Sequence, residues 1–387
     1  MFHIITAFIA LYVIWRFVWP LPMSKACRSG LGVVLLLIAE HHLVTRTFFG
    51  SMASPEVPGE VLVVLGRAFA SLILLALLLL IRDLAGIALW PLSRKTAWAL
   101  LGGRRLGIAL GLFSVGLASV GVWQAIRVPE VKTMEIVLPR LPEELDGLRI
   151  VQLTDLHASR LLQAPWLQAV VDKTNALKPD LILITGDLVD GSPQARVEDV
   201  QPLKNLRARH GVFAIPGNHE YYVDYVHWLP AFEHLGLHML LNDHERITHN
   251  GRDLILAGVT DKAAQPFKLP EPDIIKALKG VPAGDPVILL SHRPGGALAN
   301  AGQGVDLQLS GHTHGGQILG PHVIAKWANE GFVSGLYQVD GMKLYVSNGT
   351  GLWNGFPVRL GRPSEITEIV LRAPKVHPGA SVTGPGL

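Results

Sequence analysis

Five short clusters in the later part of the sequence hold residues able to bind cations. They are Asp155-Leu156-His157, Gly186-Asp187 with Asp190 just after it, Gly217-Asn218-His219-Glu220, Ser291-His292, and Gly311-His312-Thr313-His314-Gly315. Asp155, His157, Asp187, Asn218, His292, His312 and His314 offer seven oxygen and nitrogen donors and no thiol. That donor set suits Mn, Fe or Zn in a two-metal centre and argues against a structural zinc site. In a loop leaving a strand, Asp155 and His157 are two apart and can point the same way. Asp187 has two carboxylate oxygens and can bridge two ions. Asn218 adds a neutral carbonyl oxygen. His312 and His314 can reach different ions from one turn, with Gly311 and Gly315 permitting the backbone path.

Each cluster follows a compact apolar run that reads as a buried strand. The runs are Arg149–Thr154, Leu181–Thr185, Val212–Ile215, Val287–Leu290 and Leu307–Leu309. Open α/β sheets place ligands at the carboxyl ends of their strands, so the five clusters should converge. Pro165 suits the start of a helix reaching about Leu177. Asn250-Gly251 and Asp340-Gly341 read as hairpin turns. Strands alternating with helical stretches predict an α/β domain over 129–374. Between Gly320 and Gly335, Ile324, Trp327, Phe332 and Val333 stand with His322 and Lys326. They read either as the rim of a substrate site near a membrane or as ordinary sheet packing. Pro, Gly and Ser dominate the end, and 375–387 is expected to be a disordered tail.

The first third is different. The 387 residues are 49% apolar and 17% charged, which excludes a disordered chain, and one Cys excludes a disulfide scaffold. Residues 1–128 hold 11 Lys/Arg against 4 Asp/Glu, a net of +7, which leaves the rest of the chain at −4. Phe2–Trp19, Leu31–Phe49, Val61–Ile81 and Leu106–Ile126 are four apolar runs of membrane-helix length. Trp15, Trp19, Trp90, Trp98 and Trp123 lie near their ends, as interfacial aromatics do. Residues 1–128 are therefore expected to form a transmembrane anchor. Lys25 and Arg28 mark the first loop, and Arg82, Arg94, Lys95, Arg104 and Arg105 the third; the second has only Glu56 and Glu60. The positive-inside rule then puts everything after Ile126 outside the cytoplasm. Arg104-Arg105 reads as an anchor pair rather than a twin-arginine signal, and the first run lacks the basic start of a cleaved signal peptide. Glu40, His41 and His42 fall inside the second run and read either as a polar contact with a lipid head group, Arg46 or Arg67, or as a hydrogen bond between helices.

The ordered motifs D-x-H, G-D-x-x-D, G-N-H-E, a lone His after a strand and G-H-x-H resemble those of the calcineurin-like metallophosphoesterase superfamily, over about residues 130–373. Within that superfamily the chain resembles the membrane-anchored or exported bacterial phosphodiesterases. The resemblance implies a four-layer α/β/β/α sandwich behind the four-helix transmembrane region. It implies Asp155, His157 and His314 on one divalent ion, Asn218, His292 and His312 on the other, and Asp187 shared. His219 would stand beside the substrate phosphate as a catalytic residue, with Asp190 orienting it from behind. Glu220 stands where the family often carries Asp and is expected to support Asn218 and His219. Asp190 stands where purple acid phosphatases carry a ligand Tyr, which argues against that subgroup. The implied reaction is hydrolysis of a phosphoester by a hydroxide held between the ions. The expected partners are the lipid bilayer and a phosphoester substrate that a lipid could carry, with no nucleic acid; an oligomer stays open. The implied location is a bacterial inner membrane, multi-pass, with a periplasmic catalytic domain. The alternative is a membrane scaffold with a catalytically silent domain, which would have no need of His219. The charge asymmetry predicts that a periplasm-active phosphatase fused after Pro374 is active; activity of a cytoplasmic reporter alone would overturn that orientation.

Overall fold

The computed structural model describes residues 2–52 and 54–375. The expected tail therefore lies, beyond Lys375, outside the described residues. The chain opens with α1 (Phe2–Val13), α2 (Lys25–Ala39), α3 (His41–Phe48), α4 (Gly59–Leu89), α5 (Arg94–Gly102) and α6 (Arg104–Ile126). Among the described residues two helices are long and apolar enough to cross a membrane, α4 and α6. A third span exists only if α2 and α3 are taken together across a 53° bend. The first apolar run is short, Phe2–Val18. Four full spans were expected, so this is a correction, and Glu40 accounts for part of it. It breaks the second run by turning inward, where it accepts from Thr6 Oγ1 at 2.9 Å and meets His3 Nδ1 at 3.0 Å. The rings of His41 and His42 lie 5.2 and 5.0 Å from that of Phe69 on α4. At the other end of the bundle Asp83 accepts from Arg16 at 2.6 and 2.8 Å and from Tyr12 at 2.8 Å. An acid in an apolar helix needs such partners, and here they join α4 to the end of α1 and the chain just after it.

Two six-stranded sheets follow. The first runs β1 (Glu130–Val137), β12 (Glu365–Arg372), β2 (Arg149–Leu153), β3 (Leu181–Thr185), β4 (Val212–Ile215), β5 (His238–Met239). The second runs β10 (Gly335–Val339), β11 (Met342–Val346), β9 (Leu307–Ser310), β8 (Val287–Leu290), β7 (Arg252–Gly258), β6 (Asp243–His249). The centres are parallel and the edges mixed, with β12 antiparallel to β2 and β6 to β7. β3 and β8 are apolar at nearly every position and fully buried, as strands covered on both faces must be.

Leu183, Ile215, Leu256, Leu290, Leu309 and Tyr345 fill the space between the sheets. The remaining helices are α7 (Ala164–Ala176), α8 (Pro193–Val200), α9 (Asn218–Val223), α10 (Tyr225–His234), α11 (Ile274–Ala277), α12 (Ala297–Ala301) and α13 (His322–Ala328). Leu167 and Val171 of α7 and Trp228 and Phe232 of α10 cover the outer face of the first sheet. Ala277 of α11 and Ala297 of α12 cover that of the second. The layers are helix, sheet, sheet, helix.

Strand register fixes how this sandwich meets the anchor. α6 ends at Ile126 and β1 begins at Glu130. Glu130 lies opposite Glu365 in the parallel β1–β12 pair, and Thr367 lies opposite Gln152 in the antiparallel β12–β2 pair. The start of β1 is therefore level with the carboxyl end of β2. The carboxyl edge of the parallel strands faces the anchor helices. The segment 351–360 fills that junction. Phe356 packs edge-on to Phe69 at 5.9 Å, Val358 packs with Ala70, Ala118 and Val122, and Arg359 N donates to Gly121 O at 3.0 Å. Leu256 is fully buried between the sheets. Leu256→Ala should lower stability by roughly 2–5 kcal/mol, read as a fall in the thermal midpoint of the detergent-solubilised protein.

Candidate metal centre

Five loops leave the carboxyl edge, after β2, β3, β4, β8 and β9. They bring Asp155 and His157, Asp187 and Asp190, Asn218 and His219, His292, and His312 and His314 to one place. The backbone records this. Asp155, His157, Asp187, His312 and His314 have φ of 53°, 46°, 55°, 68° and 50°. Left-handed backbone costs a non-glycine residue roughly 1–2 kcal/mol, and such strain gathers where function dictates geometry. Gly186 shows how tight the path is. Its φ is +92°, and a Cβ there would lie 2.7 Å from Gly217 and from His292 Nδ1.

The donors form two groups. Asp155, His157 and His314 place ligand atoms within 4.8 Å of one another, and so do Asp187, His292 and His312. Asp187 Oδ2 stands between the groups, 3.7 Å from His157 Nε2 and 3.2 Å from His292 Nε2. Asn218 Oδ1 lies 3.2 Å from the same His292 nitrogen. His157 Nδ1 faces Asp190 and His292 Nδ1 faces Thr185 O, so each ring turns its Nε2 inward. His157 Nε2 and His314 Nδ1 are buried and have no hydrogen-bond partner. Unpartnered buried nitrogen is rare and calls for an explanation such as an ion. All seven donors fit a pair of divalent cations sharing Asp187.

Supporting contacts hold the loops. Asp190 Oδ1 meets His219 Nδ1 at 2.5 Å and His157 Nδ1 at 3.1 Å. Glu220 accepts from Gly217 N at 2.7 Å, Leu188 N at 2.7 Å and Asp187 N at 3.1 Å, tying the β3 and β4 loops together. Four contributors were not anticipated from the sequence. Arg293 lies 2.8 Å from His312 Nε2 while it pairs with Asp261. Arg359, fully buried, donates to His314 O, Asn348 O and Gly351 O. Tyr222 and Trp353 set their rings 5.6 and 6.4 Å from that of His219. Only Arg293 carried a signal, its place directly after His292.

Burial disfavours charge on every one of these groups, and the neighbours decide the outcome. Burial pushes the His219 imidazole down, but Asp190 and Asp187 outweigh it and hold it up at about 9. Burial acts likewise on His292, and Asp187 with Asp155 holds it at about 10. His312 and His314 go the other way. Burial, with His292 beside one and His157 beside the other, pushes both well below the usual imidazole range. Burial pushes Asp187 up, yet His292 and His219 bring it well below the carboxylate range. Burial raises Asp155, and the nearby Asp187 adds to it. The carboxylates that hold His219 and His292 up make a negative field, and a field that favours imidazolium favours cations in the same place.

Comparison with known proteins gives the same picture. The calcineurin-like phosphoesterase family matches residues 148–316. A cattle (Bos taurus) transmembrane protein with metallophosphoesterase domain is 33% identical over 376 residues, 94% of this chain and 82% of that protein. A zebrafish (Danio rerio) protein of the same description is 36% identical over 291 residues, 72% of this chain, and the match spans about two thirds of its length, 66%. An uncharacterized metallophosphoesterase of Helicobacter pylori is 37% identical over 269 residues, 69% of this chain and 70% of that protein. Asp187→Ala should strip metal from the purified protein, read by elemental analysis, with chelation of the unsubstituted protein lowering its thermal midpoint. Unchanged metal content would remove Asp187 from the ligand set.

Proposed function

This chain belongs to the calcineurin-like metallophosphoesterases, metal-dependent hydrolases that use two divalent cations, and we propose that it hydrolyses a phosphoester at the surface of the membrane that anchors it. The convergence of seven buried donors on the space around Asp187 carries the hydrolase reading. When bound, the cations supply an acidified water and draw charge from the phosphoryl oxygens. The rest falls to side chains. Asp155, His157 and His314 would hold one cation, Asn218, His292 and His312 the other, and Asp187 would serve both.

His219 stands beside Asp187 without being needed as a ligand, its backbone N–H donating to Asp187 Oδ1 at 2.8 Å. Asp190 holds the proton on His219 Nδ1 and stabilises the imidazolium, so Nε2–H is the atom that donates to the leaving oxygen. Glu220 keeps the Asp187 and Asn218 loops in register from below. Tyr222 and Trp353 flank His219 and would bound the leaving group.

The membrane-proximal part of the proposal rests on the strand register, which turns the carboxyl edge toward the anchor. An apolar cleft of about 640 Å³ between α2, α4 and α6 supports a lipid-linked substrate. It shares Val64 and Arg67 with a cavity of about 880 Å³ that Arg160 and Trp166 also line. The first run, Phe2–Val18, is read as a fourth and shallow membrane element, and the loop charges support a periplasmic catalytic domain. A bis-aryl phosphate with Mn tests the chemistry. His219→Ala should lower kcat by about 10²–10⁴ while metal content holds, and Asp187→Ala should abolish turnover. Equal rates in all three proteins would favour a binding scaffold over an enzyme.

A further inference from the structure

α13 follows the ligand loop that carries His312 and His314. It buries none of its side chains. Val323, Ile324 and Trp327 fall on one stripe of it and are 57%, 68% and 84% exposed, and Leu319 just before it is 61% exposed. Lys326 is exposed beside them. Phe332 and Val333, from the same stretch of sequence, pack into the second sheet or are buried. The stretch thus divides into a packed part and an uncovered apolar part.

The depth of this stripe can be read from the anchor. A bilayer core takes about 20 helical residues. Counted back along α4 from Asp83, that length reaches about Val63; counted forward along α6 from Leu106, it reaches about Ala125. Phe356 meets α4 at Phe69, and a Cβ on Gly66 would lie 2.7 Å from Pro357. Val358 and Leu360 crowd Gly121 of α6, where a Cβ would lie 2.7 and 3.2 Å from them. These contacts all fall inside the counted spans. Ile318 packs in the same cluster, with Ala70, Leu74 and Ala118, and Leu319 N donates to Leu360 O at 2.9 Å. The segment from Ile318 therefore starts at the depth of acyl chains, and the apolar stripe of α13 continues from it.

We propose that Ile318–Ala328 is a lip of the catalytic domain lying in the bilayer leaflet nearest the metal centre. Leu319, Val323, Ile324 and Trp327 contact acyl chains, and Lys326 meets lipid phosphate. Interfacial aromatic and basic residues take these places because each has an apolar body and a polar end. The lip adjoins the ligand loop, since His322 stacks on Gly316, where a Cβ would lie 2.5 Å from the His322 Cβ. It would hold the plane of lipid phosphates level with His312 and His314. For that last consequence alone the inference rests on the phosphoesterase reading.

Site-directed fluorescence tests it. Cys27 is the only native thiol. Full-length Cys27→Ser protein carrying Ile324→Cys is labelled with an environment-sensitive fluorophore and reconstituted in phosphatidylglycerol–phosphatidylethanolamine vesicles containing a lipid-borne quencher. Leu112→Cys, exposed on α6, is the reference in the membrane, and Arg252→Cys, at the amino end of β7, the reference in water. The proposal expects quenching at 324 close to that at 112 and several-fold above that at 252. Quenching at 324 no greater than at 252 would overturn it. This readout needs no turnover, so failure of the hydrolase reading leaves it intact. A second arm compares Trp327→Ser with unsubstituted protein. Hydrolysis of a vesicle-borne phosphodiester should fall several-fold while that of a water-soluble bis-aryl phosphate holds. An equal loss on both substrates would contradict a role for the lip in presenting lipid.

Discussion

Asp155, Asp187 and Asp190 are buried side by side at one edge of the sandwich, and this concentration of negative charge is the constraint on which the rest of the structure depends. Buried carboxylates demand compensation. The imidazoles of His157, His219, His292, His312 and His314 surround them, and the sheets in this arrangement deliver those rings from four separate loops. The left-handed backbone at Asp155, His157, Asp187, His312 and His314 is the local cost of that delivery. It is borne by the apolar strands behind it. β2, β3, β4, β8 and β9 are short and almost wholly buried, so the loops that leave them start from fixed points.

A second constraint joins this edge to the membrane. Because β1 starts where α6 ends and pairs parallel with β12, the sandwich cannot present its ligand edge away from the anchor. The segment 351–360 uses the closeness. One end flanks His219 through Trp353, and the other packs on α4 and α6 through Phe356 and Val358. Arg359, directly after Val358, donates both to His314 O and to Gly351 O of its own segment. Catalytic loop and membrane helix are thereby parts of one packed unit, which gives a physical reason for an anchor of several helices rather than a simple tether.

Much of this was legible because strand and ligand signals are local. The five strands agree with their apolar runs to within a residue, and all seven donors stand where those runs stop. The Asn250-Gly251 turn also behaves as read, with both residues at positive φ joining β6 to β7. What failed to show depended on contacts between distant segments. The bend at Glu40 follows from Thr6 and His3, more than thirty residues away, and hydropathy alone reads through it. Arg82 reads as a loop charge, yet it is buried within α4 beside Asp83, the partner of Arg16 and Tyr12. Arg359 and Trp353 lie in a stretch with no periodic pattern, and only the fold brings them to the site. The stretch from Gly320 to Gly335 holds two readings at once, and only the fold shows that Phe332 and Val333 pack while Ile324 and Trp327 stay exposed.

The central claim is that two cations share Asp187 between the Asp155–His157–His314 and Asn218–His292–His312 groups. Anomalous scattering from crystals of the Mn-loaded protein measures this directly. The account predicts two peaks, one on each side of the Asp187 carboxylate, about 3.5–4 Å apart. A single peak, or peaks away from Asp187, would contradict it.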